Sequence, residues 1–387
     1  MSLDLTSIRK HLHTLPEASG KEKRTADFLK KEVSKFSPSR IITDLGHYSF
    51  AVVFNEKGAR TILIRADMDA LPITEANLFD HRSQFDGFSH KCGHDGHSTI
   101  LLGLAEQLSK QQLQLRVILL FQSAEETGEG ARSIIESHKL DNLNIEATYA
   151  LHNIPGVTKG EILCKKGVFC PASTGVKIKL VGKESHASQP QNGTSSVPGI
   201  HRIFEQIDLL NSKNTFATIT HLRMGEKTFG ISPAKAQIWC TLRSFEENGI
   251  DDYLSKLKIL LSEIDDSNLN SHLSFSETFE ACINSERSYK LIERAAEDLN
   301  LKFSEMANPN PWSEDFGLFT KSFDGAMFGI GSGKECRPLH DPSYDFPDDI
   351  ISPAIEMFLK LIELESAKKS PDKSRLKFIP QNLLLSF

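Results

Sequence analysis

The sequence has no surplus of positive charge: 45 Lys and Arg stand against 51 Asp and Glu, for a net charge of −6. That balance gives no electrostatic footprint for nucleic acid and removes that class of partner. No apolar run approaches the roughly 20 residues needed to cross a bilayer, so no membrane partner is expected either. The first residues, Met1 to Thr6, lack the basic start and apolar segment of a secretory signal. Disulfide-framework spacing is missing as well. Cys92, Cys164, Cys170, Cys240, Cys282 and Cys336 are scattered, which predicts reduced thiols and a cytoplasmic protein. Internal repeats and low-complexity tracts are absent. What remains is an ordinary globular composition, 39% hydrophobic and 25% charged. At 387 residues the chain is too long for one small core, so two or three domains are expected.

What is present is a series of short apolar strands, several of which end in reactive residues. Ala51-Val52-Val53-Phe54, Thr61-Ile62-Leu63-Ile64, Val117-Ile118-Leu119-Leu120-Phe121 and Ala147-Thr148-Tyr149-Ala150-Leu151 read as buried strands. Helices are predicted over about 4–36, broken near Pro16, after His97 through Leu108, and over 131–137. Such alternation predicts an α/β sheet with helices on its faces. Asp67 and Asp69 follow one strand, Glu125 and Glu126 a second, and His152 a third. Ligands of open α/β sheets bind beyond the carboxyl ends of the strands, so these groups are aimed at one crevice.

The texture changes near residue 172. Gly175-Val176-Lys177-Ile178-Lys179-Leu180-Val181 alternates as a half-exposed strand does. A helix over 197–210, strands over 217–222 and 236–242, a helix over 252–264 and a strand over 273–279 complete a βαββαβ order, the ferredoxin-like pattern. This predicts a second domain at 172–283 inserted into a first made of 1–171 and 284–387. The returning chain should form a helix over 288–299, the strand Ala326-Met327-Phe328-Gly329-Ile330 and a helix over 350–366. Beyond these, residues 368–373 are polar, and 383–387 are apolar enough to dock on a surface.

Each candidate residue has a plainer alternative. An isolated Glu-Glu is most simply a solvated turn before a helix, whose dipole welcomes negative charge. After a buried strand, Glu125-Glu126 instead suits a division of labour in which one carboxylate binds a cation and the other moves protons. Cys92-Gly93-His94 sets a thiolate and an imidazole two residues apart, with Gly93 permitting the turn that points both inward. Such donors suit zinc and similar transition metals rather than magnesium or calcium. Asp95 and His97 either support the ligands or cap the following helix. His152 and His340 are individually ordinary, and they gain weight because the crevice needs more ligands. Asp67 or Asp69 could instead belong to a salt-bridged loop with Arg65, but their place suits the support of a ligand histidine. His186, in the inserted domain, could stabilise an oxyanion if that domain, its own or a partner subunit's, folds over the crevice. Arg243 could hold a substrate carboxylate or form a surface ion pair.

Together these residues closely resemble the amidohydrolase branch of the aminoacylase/carboxypeptidase metallopeptidases, which includes hippurate hydrolases, auxin-conjugate hydrolases and N-acetyl-diaminopimelate deacetylases. The match runs through His13-Thr14-Leu15-Pro16-Glu17, the stretch from Arg65 to Pro72, and the stretch from Cys92 to His97. It continues through Glu125-Glu126, Leu151-His152, Ser185-His186-Ala187, Ser313-Glu314-Asp315-Phe316 and Leu339-His340. The resemblance implies a zinc-peptidase-like catalytic domain with a mixed central sheet and an inserted lid and dimerisation domain. It implies two divalent metal ions, manganese or zinc ahead of cobalt or nickel, held by Cys92, His94, Glu126, His152 and His340, with Cys92 bridging. Glu125 matches the family's general base, and His186 the lid histidine that reaches across a homodimer. Lys91, Ser123-Ala124 and Ile231-Ser232-Pro233 depart from the usual pattern without touching a ligand position.

The activity expected from this is metal-dependent hydrolysis of N-acyl amino acids, or of short peptides. Glu125 would take a proton from the attacking water and return it to the leaving amine. Rival readings are a dipeptidase or carboxypeptidase with the same centre, a thiol amidase with Cys92 as nucleophile and His94 or His97 as base, and a binding protein that has lost turnover.

Overall fold

The computed structural model describes residues 3–265 and 268–367. The expectations for 368–373 and 383–387 lie outside the described residues. The chain opens with α1 (Leu5–His13) and α2 (Lys23–Ser34), then β1 (Arg40–Ile42), β2 (Phe50–Phe54) and β3 (Thr61–Asp67). There follow α3 (His94–Leu108), β4 (Arg116–Gln122), α4 (Gly130–Glu136), β5 (Ile145–Pro155), β6 (Ile162–Cys164) and β7 (Gly167–Cys170). A middle group comprises β8 (Ala172–Val181), β9 (Ser185–His186), α5 (Val197–Leu210), β10 (Thr215–Met224), β11 (Ile231–Ser232), β12 (Lys235–Ser244), α6 (Gly249–Asp265) and β13 (Asn270–Phe279). The last elements are β14 (Cys282–Asn284), α7 (Glu286–Asp298), β15 (Phe303–Glu305), α8 (Gly317–Ser322), β16 (Gly325–Gly333) and α9 (Ile351–Ser366).

The central sheet is mixed and has eight strands in the order β1-β2-β4-β3-β5-β16-β6-β15. Its inner strands β2, β3 and β4 are largely apolar because both faces are covered. In β4, Val117, Leu119 and Phe121 enter the core beneath α1, α2, α3, α7 and α9, while Ile118 and Leu120 enter the opposite core with α4 and α8. The inner strands β4, β3 and β5 run parallel, so their carboxyl ends share one edge. β16 and β15, from the end of the chain, belong to this same sheet.

The middle group makes its own four-stranded sheet in the order β10-β12-β8-β13, antiparallel throughout. Its alternation is what the sequence suggested. Val176, Ile178 and Leu180 face a separate core shared with α5 and α6, while Lys177 and Lys179 stay exposed. The short strands β7 and β14 pair with each other where the chain leaves and re-enters the first sheet.

Two local expectations need correction. Helix α3 starts at His94, not after His97, because Gly93 adopts φ 102° and turns the chain directly into the helix. His152 lies within β5 and does not follow it, because parallel pairing with β16 continues to Pro155. No described helix is long and apolar enough to cross a membrane.

Leu119 is fully buried in the middle of β4. Truncating it leaves a cavity in a two-sided core, so Leu119→Ala should cost about 2–5 kcal/mol of unfolding free energy, measured by denaturant titration.

Candidate metal centre

The site is built at the carboxyl edge of β3, β4 and β5. After β4 the chain makes a sharp turn in which Ala124 holds φ 58°, a conformation costly for a residue with a Cβ. Glu22 holds that turn. Its carboxylate accepts from the Ala124 amide at 2.8 Å and from the Ser123 hydroxyl. The Gly130 amide closes the turn on the Ala124 carbonyl at 3.0 Å. Glu125 and Glu126 are thereby presented to the crevice. His94 and His97 arrive on the first turn of α3, and Cys92 lies just before its Gly93 cap. A Cβ at Gly93 would meet Asn153 Oδ1 at 2.4 Å, and one at Gly96 would meet Phe346 Cδ2 at 2.4 Å, so this turn packs closely only with glycines at both places.

A pocket of about 210 Å³ is lined by Cys92, Glu125, Glu126, His152, Trp312, Ser313, Glu314, Leu339 and His340. The donor atoms of Cys92, His94 and His152 lie within 4.8 Å of one another, as do those of Cys92, Glu126 and His340. These two sets share Cys92. The sulfur is 3.5 Å from His152 Nε2. Glu126 Oε1 is 3.9 Å from His94 Nε2 and 3.7 Å from His340 Nε2. His340 comes from the far end of the chain, and its amide donates to the Lys91 carbonyl at 2.7 Å.

The residues behind these donors fix which ring nitrogen is free. Asp69 Oδ1 faces His94 Nδ1 at 3.1 Å, and the Asn153 carbonyl accepts from His152 Nδ1 at 2.9 Å. In the neutral form each histidine then has its Nε2 lone pair aimed at the crevice. Asp69 Oδ2 also accepts the Glu126 amide at 3.0 Å. Asp67 does a different job from Asp69: it meets His97 Nδ1 at 2.6 Å and Arg65 Nη1 at 2.7 Å. Sequence reasoning gave Arg65 only a loop salt bridge. It is fully buried and also grips Glu314 at 2.9 Å and Asp315 at 2.7 Å. Glu314 and Asp315 entered earlier only through the resemblance. Their signal was an adjacent acidic pair directly before the apolar Phe316. Lys91 does not place its charge in the site, because its ammonium turns to Glu75 at 2.5 Å and the Tyr344 carbonyl at 2.7 Å.

The electrostatics are those of too many acids in one place. Burial raises the Cys92 thiol well above its ordinary value, and Glu126 and Glu125 raise it further. Burial, then Glu314 and Glu126, raise the Glu125 carboxyl well above the carboxylate range. Glu126 is pushed by burial to about 7 despite the opposing pull of His94. Burial disfavours a charged His94, yet Asp67, Asp69 and Glu126 raise it to about 10. Burial holds His152 neutral, well below its usual value. His94 Nε2 and Glu126 Oε1 are buried without a hydrogen-bond partner. Such orphaned atoms among soft and borderline donors fit divalent metal.

The two residues of the middle group stand apart from this cluster. His186 is exposed on β9, with its Nδ1 2.7 Å from Ser188 Oγ, and it does not line the pocket. Arg243 reaches the pocket's rim indirectly, through Nη1 bonds to the Pro311 carbonyl at 2.7 Å and Ser313 Oγ at 3.1 Å.

Residues 63–364 match the family described as peptidase family M20/M25/M40. The chain belongs to that family. It is therefore a metal-dependent amide-bond hydrolase. An N-acetyl-L-cysteine deacetylase of Bacillus subtilis is 30% identical, over 96% of this chain and 89% of that protein. An N-acetyldiaminopimelate deacetylase of Oenococcus oeni is 28% identical, over 93% and 95%. Among solved structures, a dinuclear metal-binding M20 peptidase of B. subtilis superposes with a TM-score of 0.80 at 23% identity, covering 93% of this chain and 97% of that one. At that identity the likeness speaks for the M20 fold alone.

Metal uptake here should release protons, because Cys92, His94 and Glu126 would each have to lose a proton to act as ligands. Affinity for manganese or zinc should strengthen as pH rises from 6 to 8, read by calorimetry in two buffers of different ionisation enthalpy. Chelator treatment should lower the thermal midpoint and metal should restore it.

Proposed function

We propose that this M20 protein hydrolyses the amide bond of N-acyl amino acids. The observation that carries this reading is the pairing of a metal-ligand set with a buried carboxylate of raised proton affinity, Glu125, in one small pocket. The two deacetylase relatives support the same substrate class. Cys92, His94, Glu126, His152 and His340 would hold two divalent cations, with Asp69 orienting His94 and Asp67 acting through His97. Cations bound there supply Lewis-acid polarisation of the substrate carbonyl and make water more acidic.

Glu125 is the general base. It takes a proton from the water that adds to the carbonyl carbon. The tetrahedral species collapses as the carbon–nitrogen bond breaks, and Glu125 delivers the proton to the leaving nitrogen. To accept that proton the carboxyl must first be ionised, which cations bound beside it would favour; burial beside Glu314 then favours its holding the proton until it is handed on. Arg65 keeps Glu314 and Asp315 in place beside it, and the Asp315 amide lies 3.4 Å from Glu125 Oε1.

Within the bounds 1–171 and 284–387, the described residues 3–171 and 284–367 would form the catalytic domain, and those of 172–283 would serve as a ferredoxin-like lid. His186, remote from this pocket, would stabilise the oxyanion from a second copy of the chain, in a homodimer joined through the lids. Arg243 has no carboxylate partner among the described residues, which leaves its charge available to the substrate's carboxylate.

The thiol-amidase reading loses support. A nucleophilic cysteine needs a lowered pKa, whereas burial and two glutamates raise that of Cys92.

Chelator-stripped protein with manganese or zinc restored should release amine from N-acetyl amino acids, assayed beside N-benzoyl and N-indoleacetyl amino acids and dipeptides. Exclusive dipeptide cleavage would replace the proposal with a peptidase, and metal-independent release would revive Cys92 as nucleophile. Glu125→Gln should lower kcat by about 10²–10⁴-fold while metal content stays at that of the unaltered protein.

A further inference from the structure

We infer that Trp312 sets the upper size of the acyl group, an inference that rests on the N-acyl amino acid reading above. Of the nine residues lining the pocket, only Trp312 and Leu339 offer large apolar side chains. The rest are acids, histidines, a thiol and a hydroxyl. The two halves of the substrate sort themselves against that lining. The amino-acid half carries a carboxylate, and its nitrogen becomes charged on release, so the atoms next to the scissile bond on that side cannot rest on an apolar wall without losing hydration. The uncharged acyl group is the half that can.

Trp312 is also held in place. Its ring centroid lies 4.8 Å from that of His152, tilted by 45°, and 6.3 Å from Phe169, edge to face. The backbone on either side is pinned. The Asn310 amide donates to the Phe169 carbonyl at 2.8 Å, and Arg243 Nη1 bonds the Pro311 carbonyl and Ser313 Oγ. His152 is held in turn, because Nδ1 is tied to the Asn153 carbonyl and Nε2 lies 3.5 Å from the Cys92 sulfur. The indole is thus a fixed wall in a pocket of about 210 Å³, below the roughly 300 Å³ at which sites for larger organic ligands begin. An acetyl group fits against such a wall. A benzoyl group needs the space that the indole fills. Arg243, carried on the second sheet, is then a positioning residue for the wall as well as a charge near the substrate.

The experiment compares kcat/KM for the N-acetyl and N-benzoyl derivatives of one amino acid, in the unaltered protein and in Trp312→Ala, both loaded with manganese. A second arm measures acetate and benzoate binding to the same two proteins by calorimetry. Trp312→Ala should shift the benzoyl-to-acetyl ratio upward by about tenfold or more in turnover, and benzoate affinity should rise relative to acetate. Metal content should not change. An unchanged ratio in both arms, with the two substrates slowed alike, would overturn the inference. If the unaltered protein turns over neither substrate, the N-acyl amino acid reading fails, and the carboxylate-binding arm alone decides the role of Trp312. Should Trp312→Ala not fold, Trp312→Leu and Trp312→Phe read the same ratio, with the smaller shift expected for Phe.

Discussion

The crowding of buried acids at one edge of the sheet is the constraint from which the rest of the structure follows. Asp67, Asp69, Glu125, Glu314 and Asp315 are all nearly inaccessible, and Glu126 is largely covered. Among the described residues Arg65 is the one guanidinium buried among them, and it already answers to Asp67, Glu314 and Asp315. Protons can relieve the remainder, and the raised pKa values of Cys92, Glu125 and Glu126 record that pressure. Divalent cations relieve it better, because each brings two charges and several bonds without swelling the pocket. Metal binding and the proton affinity of Glu125 therefore share a single electrostatic origin.

Assembling that crowd calls for rigid supports, and each acid has one. Parallel pairing of β3 with β4 and β5 places three strand ends side by side. The unfavourable backbone at Ala124 is held by the Glu22 carboxylate, itself raised to about 7 by burial and by Asp69. That arrangement links α2 to the catalytic turn, 102 residues away in sequence. The site is thus braced by charge–dipole contacts as well as by packing.

Much of this was legible in the sequence. The apolar runs before Asp67 and Glu125 are strands because they are buried on both faces, and their length and composition carry that information. Cys92, His94, Glu126, His152 and His340 do converge, since strand ends in such sheets share an edge. Legibility failed where the cause was not local. Strands β6, β7, β14 and β15 are three or four residues long, too short for any periodicity to register. The reach of β5 past His152 depends on β16, almost 180 residues later. Arg65 looked like a loop residue because its partners Glu314 and Asp315 lie some 250 positions away. Trp312 carried no motif, and it is revealed by its place in the pocket lining and its ring contact with His152.

The same separation in sequence has a thermodynamic consequence. Cys92 and His340 are brought together only after the chain has passed through the whole middle group and returned to complete the sheet with β16. The closed loop is long, and the entropic cost of closing it grows only slowly with length. The unfavourable part is local: it is the meeting of Glu314, Asp315 and Glu125 in a space without water. Arg65 offsets part of that, because it holds Asp67 from the first part of the chain and Glu314 and Asp315 from the last. Cations held there would act as a cross-link between Cys92, just ahead of α3, and His340 near the far end. On this account metal supplies chemistry and tightens the catalytic half, while the second sheet, with its own separate core, keeps its stability whether or not the centre is loaded.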